Sequence, residues 1–190
     1  MNYLVWIVAG VAVIGLYAWY ASIVQRRNKV AEALSGIDVQ LSQRHELIPN
    51  VLAIAKRFLA HEQQLLADIA RLRTTGQERI GATDAQAVTE KFAAENQLSA
   101  GLSRLFAVAE NYPELKSDQT MLRAQATYQE VETSVAAARR FYNASVTALR
   151  NSCQIFPGQL LAGLAGVGQL PPFFEAPAEH RGPVNAADHL

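Results

Sequence analysis

A chain of 190 residues is long enough for one domain with its own hydrophobic core. Half of the residues are apolar and 18% are charged, a composition that excludes a wholly disordered chain. Lysine plus arginine equals aspartate plus glutamate at 17 each, so the zero net charge gives no overall attraction to nucleic acid, and we expect no nucleic-acid partner. The single cysteine, Cys153, excludes an internal disulfide.

The N-terminal segment is a candidate membrane anchor. Leu4 to Val24, LVWIVAGVAVIGLYAWYASIV, contains no charged side chain over 21 residues, close to the ~20 residues that cross a ~30 Å hydrocarbon core. A cleaved signal peptide is disfavoured because no basic residue precedes the apolar run, and buried core helices are rarely so uniformly apolar. We therefore predict a transmembrane anchor over residues 1–25. The residues that mark its span and its aromatic belts are Leu4, Trp6, Tyr17, Trp19, Tyr20 and Val24.

Basic residues flank only the C-terminal side of this segment, at Arg26, Arg27 and Lys29. Because positively charged flanks stay in the cytoplasm, we expect the N-terminus to lie outside and the rest of the chain in the cytoplasm. The predicted location is the inner (plasma) membrane of the cell, crossed once, with the lipid bilayer as the first partner. The three basic side chains lie close enough to the bilayer to contact anionic lipid.

The body of the chain, residues 26–157, has the apolar spacing of long helices. Apolar residues recur at steps of three, four and seven along its first half, and no turn signal separates them from the anchor. We therefore predict one continuous helix from about Leu4 to Arg73, kinked near His45 to Pro49. A polar, glycine-bearing loop is predicted for Thr74 to Asp84.

Two further helices are predicted after this loop. The first carries an apolar face from Val88 to Ala109 and ends before Pro113, because the residue before a proline disfavours the α conformation. The second is predicted over Ser117 to Cys153, and no segment shows the sustained alternation of a strand. The predicted fold is all-α, with an N-terminal transmembrane helix that continues into a long antiparallel three- to four-helix bundle of coiled-coil-like packing.

An apolar, glycine-rich stretch follows in residues 158–176, too short to span a membrane. The favoured interpretation is a short helix that closes the end of the bundle. The alternative is an interfacial or partner-binding segment. The side chains that would form such an interaction surface are Leu160, Leu161, Leu164, Phe173 and Phe174. Residues 177–190 are polar and contain proline, and we predict a disordered tail there.

No set of side chains indicates catalysis. The His-Glu pairs that begin at His45 and His61 match no zinc or di-iron motif and would lie ~24 Å apart along one helix, so we interpret them as solvated or interface polar residues. Cys153 lies on an apolar stripe and is interpreted as a small core residue. We therefore predict no catalytic residue, no metal and no cofactor, and a protein that is not an enzyme.

Three asparagines leave two interpretations open. Asn50, Asn96 and Asn143 could form a buried polar network that sets the register between helices. They could equally be ordinary capping or surface residues.

Three blocks of the sequence carry a family resemblance. They are Asn28–Asn50 (NKVAEALSGIDVQLSQRHELIPN), Glu95–Ser117 (ENQLSAGLSRLFAVAENYPELKS) and Ala138–Gly163 (ARRFYNASVTALRNSCQIFPGQLLAG). In order and in pattern, with IDVQL…R…LIPN in the first and R..YN…FP in the third, they resemble the LemA family over most of the chain. The resemblance implies a membrane-anchored helical bundle without a settled activity, and for relatives a link to membrane organisation or remodelling.

These features favour a structural or interaction protein, namely an anchored helical scaffold that self-associates and organises or remodels membrane. The alternative is a ligand-sensing or partner-recruiting adaptor with a pocket between helices. A long rod of few helices has a large surface for its volume, and small residues at 136–138 and at Ala18 and Ser22 permit close helix approach. We therefore expect a homo-oligomer, with unidentified protein partners as a further option.

Overall fold

The computed structural model describes residues 2–76 and 85–175 and is built of helices. The helices are α1 (Asn2–Phe58), α2 (Gln63–Gly76), α3 (Ala85–Ala109), α4 (Pro113–Lys116), α5 (Gln119–Gln154) and α6 (Gly158–Leu161). Within these two described ranges no residue belongs to a β-strand, and the predicted all-α class is confirmed. Residues 77–84, which hold most of the predicted loop, and the predicted tail at 177–190 lie outside the described residues.

The first helix of the body ends earlier than predicted. α1 ends at Phe58, and the chain turns over residues 59–62 before α2 begins. The prediction of one helix from Leu4 to Arg73 is therefore wrong. Leu59 and Leu66 are both buried in the same hydrophobic cluster. The apolar spacing consequently continues across the turn, and spacing alone does not reveal that the chain reverses there.

Pro49 leaves one carbonyl of α1 without its helical partner, and α2 supplies the missing donor. α1 is helical on both sides of Pro49. Because proline has no N–H, it cannot bond the carbonyl of His45 four residues earlier. The side chain of Arg73 donates its Nε–H to that carbonyl at 2.9 Å. This bond satisfies a group that would be costly to leave unpaired, and it fixes α2 against α1 as an antiparallel neighbour.

α5 runs along α1 in the opposite direction over the whole length of the bundle. At one end the indole N–H of Trp19 donates to the carbonyl of Ser152 at 3.1 Å. At the other end Arg57 lies 3.9 Å from the carboxylate of Asp118. Asp118 also begins α5, because its carboxylate accepts hydrogen bonds from the first free backbone N–H groups of that helix.

The core consists of two clusters of buried side chains. The proximal cluster, at the end next to the N-terminal segment, includes Ile23, Ile37 and Leu149. The distal cluster, at the opposite end, includes Leu59 and Leu102. α2 contributes large apolar side chains only to the distal cluster, so that end is a four-helix bundle and the proximal end is a three-helix bundle.

The bundle begins inside the segment that was predicted as the anchor. Every residue of Tyr3–Ala18 is exposed, whereas Trp19 and Tyr20 are half-buried against the proximal cluster. Val24 is also half-buried there. A segment that faces lipid has no protein neighbour, so its side chains are exposed in the isolated chain. Only the part before Trp19 meets this condition.

The segment after α6 is tied to the bundle by hydrogen bonds to its backbone carbonyls. The hydroxyl of Tyr142 donates to the carbonyl of Pro172 at 2.9 Å. The guanidinium of Arg150 donates to the carbonyl of Pro171 at 2.8 Å. Residues 170–175, which we call the strap, therefore lie along α5.

We expect Arg73→Ala to lower the free energy of unfolding by about 1–3 kcal/mol, because the carbonyl of His45 loses its donor. In a Pro49→Ala background the new N–H can bond that carbonyl, so the same substitution should cost much less. Chemical denaturation of the full-length protein in mild detergent measures both costs. Arg71→Ala is the matched control, since Arg71 is exposed on the same helix. Equal costs of Arg73→Ala in both backgrounds would contradict the assignment.

Candidate functional site

A layer of charged side chains lies between the two hydrophobic clusters. Arg44 and His45 come from α1, Glu95 from α3 and Glu132 from α5, and we call these four residues the polar layer. Arg44 and Glu95 are fully buried and His45 is 3% exposed. Only the side chain of Glu132, at 25% exposure, reaches solvent.

Arg44, Glu95 and Glu132 each occupy a position at which the apolar stripe of the helix would otherwise carry an apolar side chain. On α1, Arg44 follows Leu41 by three residues and precedes Ile48 by four, and both neighbours are buried. Glu95 on α3 and Glu132 on α5 interrupt the apolar stripes of their helices in the same way. The roles of these three residues were not predicted from the sequence. The signal that could have revealed them is a charged residue within the apolar spacing of each of three helices.

Arg44 connects the three helices through its two terminal nitrogens. Nη2 donates both to a carboxylate oxygen of Glu95 and, at 3.2 Å, to the backbone carbonyl of the same residue. Nη1 donates to Glu132 Oε1 at 2.8 Å. The second carboxylate oxygen of Glu95 lies 2.9 Å from Nε2 of His45. Both oxygens of the buried carboxylate are therefore paired, which is the arrangement that makes a buried charge tolerable.

The electrostatics of the layer favour the ionised forms of its central pair. Burial alone would raise the pKa of the Glu95 carboxyl, but the hydrogen bond with His45 and the charge of Arg44 outweigh it, and the pKa lies below its ordinary value. The two carboxylates likewise outweigh burial at Arg44 and raise the pKa of its guanidinium. The layer therefore holds an ion pair that persists at neutral pH.

α2 closes one side of the layer at its last residue. A Cβ placed on Gly76 would lie 2.6 Å from Glu95 Oε1 and 2.9 Å from His45 Cε1. Any side chain at this position would therefore displace the Glu95 carboxylate or the His45 ring from its place in the layer.

His45 was predicted to be a solvated or interface polar residue, and the structure places it in a helix interface rather than in solvent. The neighbouring Glu46 is exposed, as is His61 in the turn after α1. Cys153, predicted as a small core residue, lies in the proximal cluster. Among residues 2–76 and 85–175, no three His, Cys, Asp or Glu side chains come together as a set of metal ligands.

The structure divides the predicted anchor residues into two groups. Leu4, Trp6 and Tyr17 are exposed at 69–75%. Trp19 and Tyr20 pack on the proximal cluster together with Val24, so they connect the exposed segment to the bundle.

The predicted basic flank contacts the end of the bundle. Arg26 donates to the carbonyl of Ala148 at 3.1 Å, and Arg27 donates to the carbonyl of Ala165 at 2.9 Å. Lys29 lies 5.7 Å from the ring centre of Phe141. These side chains are exposed, so they face solvent while they bridge α1 to α5 and to the segment after α6.

The five residues of the predicted interaction surface do not form one patch. Phe174 is buried, stacks on Phe92 with ring centres 3.9 Å apart, and so packs on the bundle. Leu161 and Phe173 also pack partly on the bundle, whereas Leu160 and Leu164 are 72% and 76% exposed. Part of this stretch therefore packs on the bundle as the favoured interpretation expects, whereas an interaction surface at Leu160 and Leu164 stays a prediction.

Two of the three asparagines hold the strap. The amide of Asn143 donates to the carbonyl of Phe174 at 3.0 Å and accepts from its N–H at 2.8 Å. Asn96 donates to the carbonyl of Glu175 at 3.1 Å. Asn50 is exposed. Polar pairing thus fixes the strap to α3 and α5, a role that neither a register network nor surface capping describes.

The long exposed apolar helix and the layered bundle define a membrane-associated helical protein. The helix is long and apolar enough to cross a bilayer, and its most apolar window is almost entirely exposed. The LemA family model matches residues 33–186, and the chain belongs to the LemA family. The matched region begins within α1 after the exposed segment and includes the whole polar layer.

Two curated relatives are similar to most of the chain. They are the magnetosome proteins MamQ 1 and MamQ 2 of Paramagnetospirillum magneticum strain AMB-1. Each is 23% identical over 195 aligned positions, which cover 88% of this chain and 72% of the relative. The similarity therefore extends over the bundle as a whole rather than over one motif.

We expect Glu95→Gln to lower the free energy of unfolding by about 3 kcal/mol, because it leaves the buried charge of Arg44 with a single carboxylate partner. Denaturation of the full-length protein in mild detergent at neutral pH measures the change. Glu90→Gln is the matched control on an exposed turn of the same helix and should shift stability by under about 0.5 kcal/mol. Equal effects of the two substitutions would contradict a paired, buried Glu95.

The Arg44–Glu95 ion pair predicts that acid lowers the stability of the folded protein. Because the folded state lowers the pKa of Glu95 from its ordinary value of 4.5, its contribution is complete above that pH and is lost as pH falls through the folded value. The stability of the native protein should therefore fall below about pH 4.5 more steeply than that of Glu95→Gln. Denaturation midpoints measured between neutral and acidic pH test this difference, and parallel profiles would contradict it.

Proposed function

We propose that this protein is a membrane-anchored helical scaffold that self-associates at the bacterial inner membrane and organises or remodels the bilayer there. The observation that carries the proposal is the continuity of α1 from the exposed apolar segment into the bundle. Anchor and bundle share one helix, so the position of the bundle follows that of the anchor. A scaffold requires this mechanical coupling, whereas a soluble enzyme attached by a flexible tether does not.

In this proposal the bundle lies in the cytoplasm. Arg26, Arg27 and Lys29 support that orientation because they follow the apolar segment directly. Their contacts with α5 and with the segment after α6 also keep the three charges at the base of the bundle. A fixed position there favours contact with anionic headgroups on the cytoplasmic leaflet.

Self-association is supported by the surface of the bundle. The small residues Ala136 and Ala137 are exposed on α5, where a second helix could approach closely. Two large apolar side chains, Val39 and Leu122, are 55% and 43% exposed on α1 and α5. A neighbouring copy would remove such surface from water.

The alternative function, a ligand-binding adaptor, needs titratable residues between the helices. The polar layer provides them, although the apolar stripes of the sequence did not indicate it. Both carboxylate oxygens of Glu95 and both terminal nitrogens of Arg44 are occupied by partners within the bundle. Because these charged groups already bond one another inside the bundle, they favour a structural function over ligand binding or catalysis, and our proposal assigns no enzymatic activity.

The proposed orientation predicts that Thr75→Cys, in a Cys153→Ala background, resists a membrane-impermeant thiol reagent in intact cells. Thr75 is exposed near the end of α2, so its accessibility depends on which side of the membrane the bundle occupies. After permeabilisation the same cysteine should react fully, which serves as the internal control. Full labelling in intact cells would place the bundle outside and overturn the orientation.

The proposed self-association predicts that light scattering of the full-length protein in mild detergent, with detergent mass subtracted, gives a multiple of the protomer mass. Ala137→Glu should shift the particles towards the single protomer, because a buried unpaired charge opposes close helix contact. The control is Thr127→Glu, at another exposed position of α5. A single protomer mass for the native protein across a wide concentration range would contradict self-association.

A further inference from the structure

The proximal end of the bundle carries an exposed apolar surface beside the anchor. Ile155, Phe156, Leu160 and Leu164 are exposed at 56%, 75%, 72% and 76%. We call these four residues, which lie between the end of α5 and the segment after α6, the apolar end surface. Exposed groups of large apolar side chains on soluble surfaces usually mark a contact with a partner or a membrane.

The backbone that carries this surface is fixed against α1. The carbonyl of Ser152 accepts from Trp19, and a Cβ on Gly158 would lie 2.9 Å from Nε1 of the same tryptophan. On the other side, Arg27 donates to the carbonyl of Ala165. The apolar end surface therefore keeps a constant position relative to the helix that enters the membrane.

The length of the exposed anchor brings this surface to the bilayer. Tyr3–Ala18 is exposed throughout and is roughly 24 Å long at 1.5 Å per residue. A hydrocarbon core is ~30 Å thick, which matches the uncharged run Leu4–Val24 at roughly 31 Å, so the turn that begins at Trp19 lies within it. That turn already packs against the end of α5. The end of the bundle thus reaches the depth at which the hydrocarbon begins.

The distribution of charged residues near this end also fits a position at the membrane surface. No aspartate or glutamate occurs in residues 19–31 or 141–174, which form this part of the molecule. Its basic side chains are Arg26, Arg27, Lys29 and Arg150. A surface that combines exposed apolar groups with basic residues and lacks acidic ones is suited to the boundary between headgroups and acyl chains of an anionic bilayer.

We propose that the apolar end surface is a second membrane contact, embedded in the lipid interface beside the anchor. Its partner is the bilayer itself, and the contact seats the base of the bundle on the membrane rather than holding it at a distance. The inference depends on the membrane association of the chain and is independent of self-association, so the two proposals can fail separately.

The test places an environment-sensitive fluorophore on the surface in the full-length protein. Leu160→Cys, in a Cys153→Ala background, is labelled and reconstituted into lipid nanodiscs that hold one copy each. Ala136→Cys is the matched control, since Ala136 is exposed on α5 roughly 27 Å further along the helix from its end at Gln154. Fluorescence is quenched either by a nitroxide on the upper acyl chain of the lipid or by iodide in the aqueous phase.

The proposal predicts that the lipid nitroxide quenches the label at residue 160 several-fold more strongly than the label at residue 136, with the reverse order for iodide. Labelled Leu164→Cys should repeat the result, which guards against a local effect of one substitution. Equal iodide quenching at residues 160 and 136 would overturn the proposal. Protection of residue 160 only in discs that hold several copies would also overturn it, because a second chain would then be the occupant.

Discussion

A guanidinium in the middle of the bundle restricts how the helices can align. Left without carboxylates, the buried charge of Arg44 would cost several kcal/mol, so α3 and α5 have to bring Glu95 and Glu132 to its level. A slip of either helix by one turn moves its carboxylate by about 5.4 Å, beyond hydrogen-bonding distance. The apolar clusters above and below this level select the helix register less strictly, because aliphatic side chains can repack against new neighbours after a slip. The ion pair thus determines the register that the two clusters then fill.

The same level of α1 also determines where α2 lies. The ring of His45 bonds Glu95, while its carbonyl, left free by Pro49, bonds Arg73. One residue therefore connects α1 to α3 through its side chain and to α2 through its backbone. With Glu132 added from α5, all four long helices are joined within a single cross-section of the bundle. The proline, which in sequence suggests only a kink, has a packing function here because it releases an acceptor for a neighbouring helix.

The sequence allowed the helical class and the apolar stripes to be predicted, because residues such as Leu102 and Leu149 repeat at the helical period and are buried. The turn after Phe58 was not predictable in this way, since the period continues through Leu59 on both sides of the reversal. The polar layer was missed for a different reason. An arginine or glutamate is normally solvated, and Arg44 is tolerated in the core only because of partners 51 and 88 positions away. Such pairing is a property of the tertiary structure, although the LemA-like pattern does contain this arginine.

Because α1 is one continuous helix, a change of its angle at the N-terminal end displaces its C-terminal end. From Trp19, where the bundle begins, to Phe58 the helix is roughly 60 Å long. Transmembrane helices tilt readily with the thickness of the surrounding bilayer. A tilt of only about 10° at the membrane would displace the far end of a rigid arm of that length by about 10 Å. If the apolar segment crosses a bilayer, small differences in bilayer thickness would therefore produce large movements of the distal end, where Arg57 and Asp118 lie.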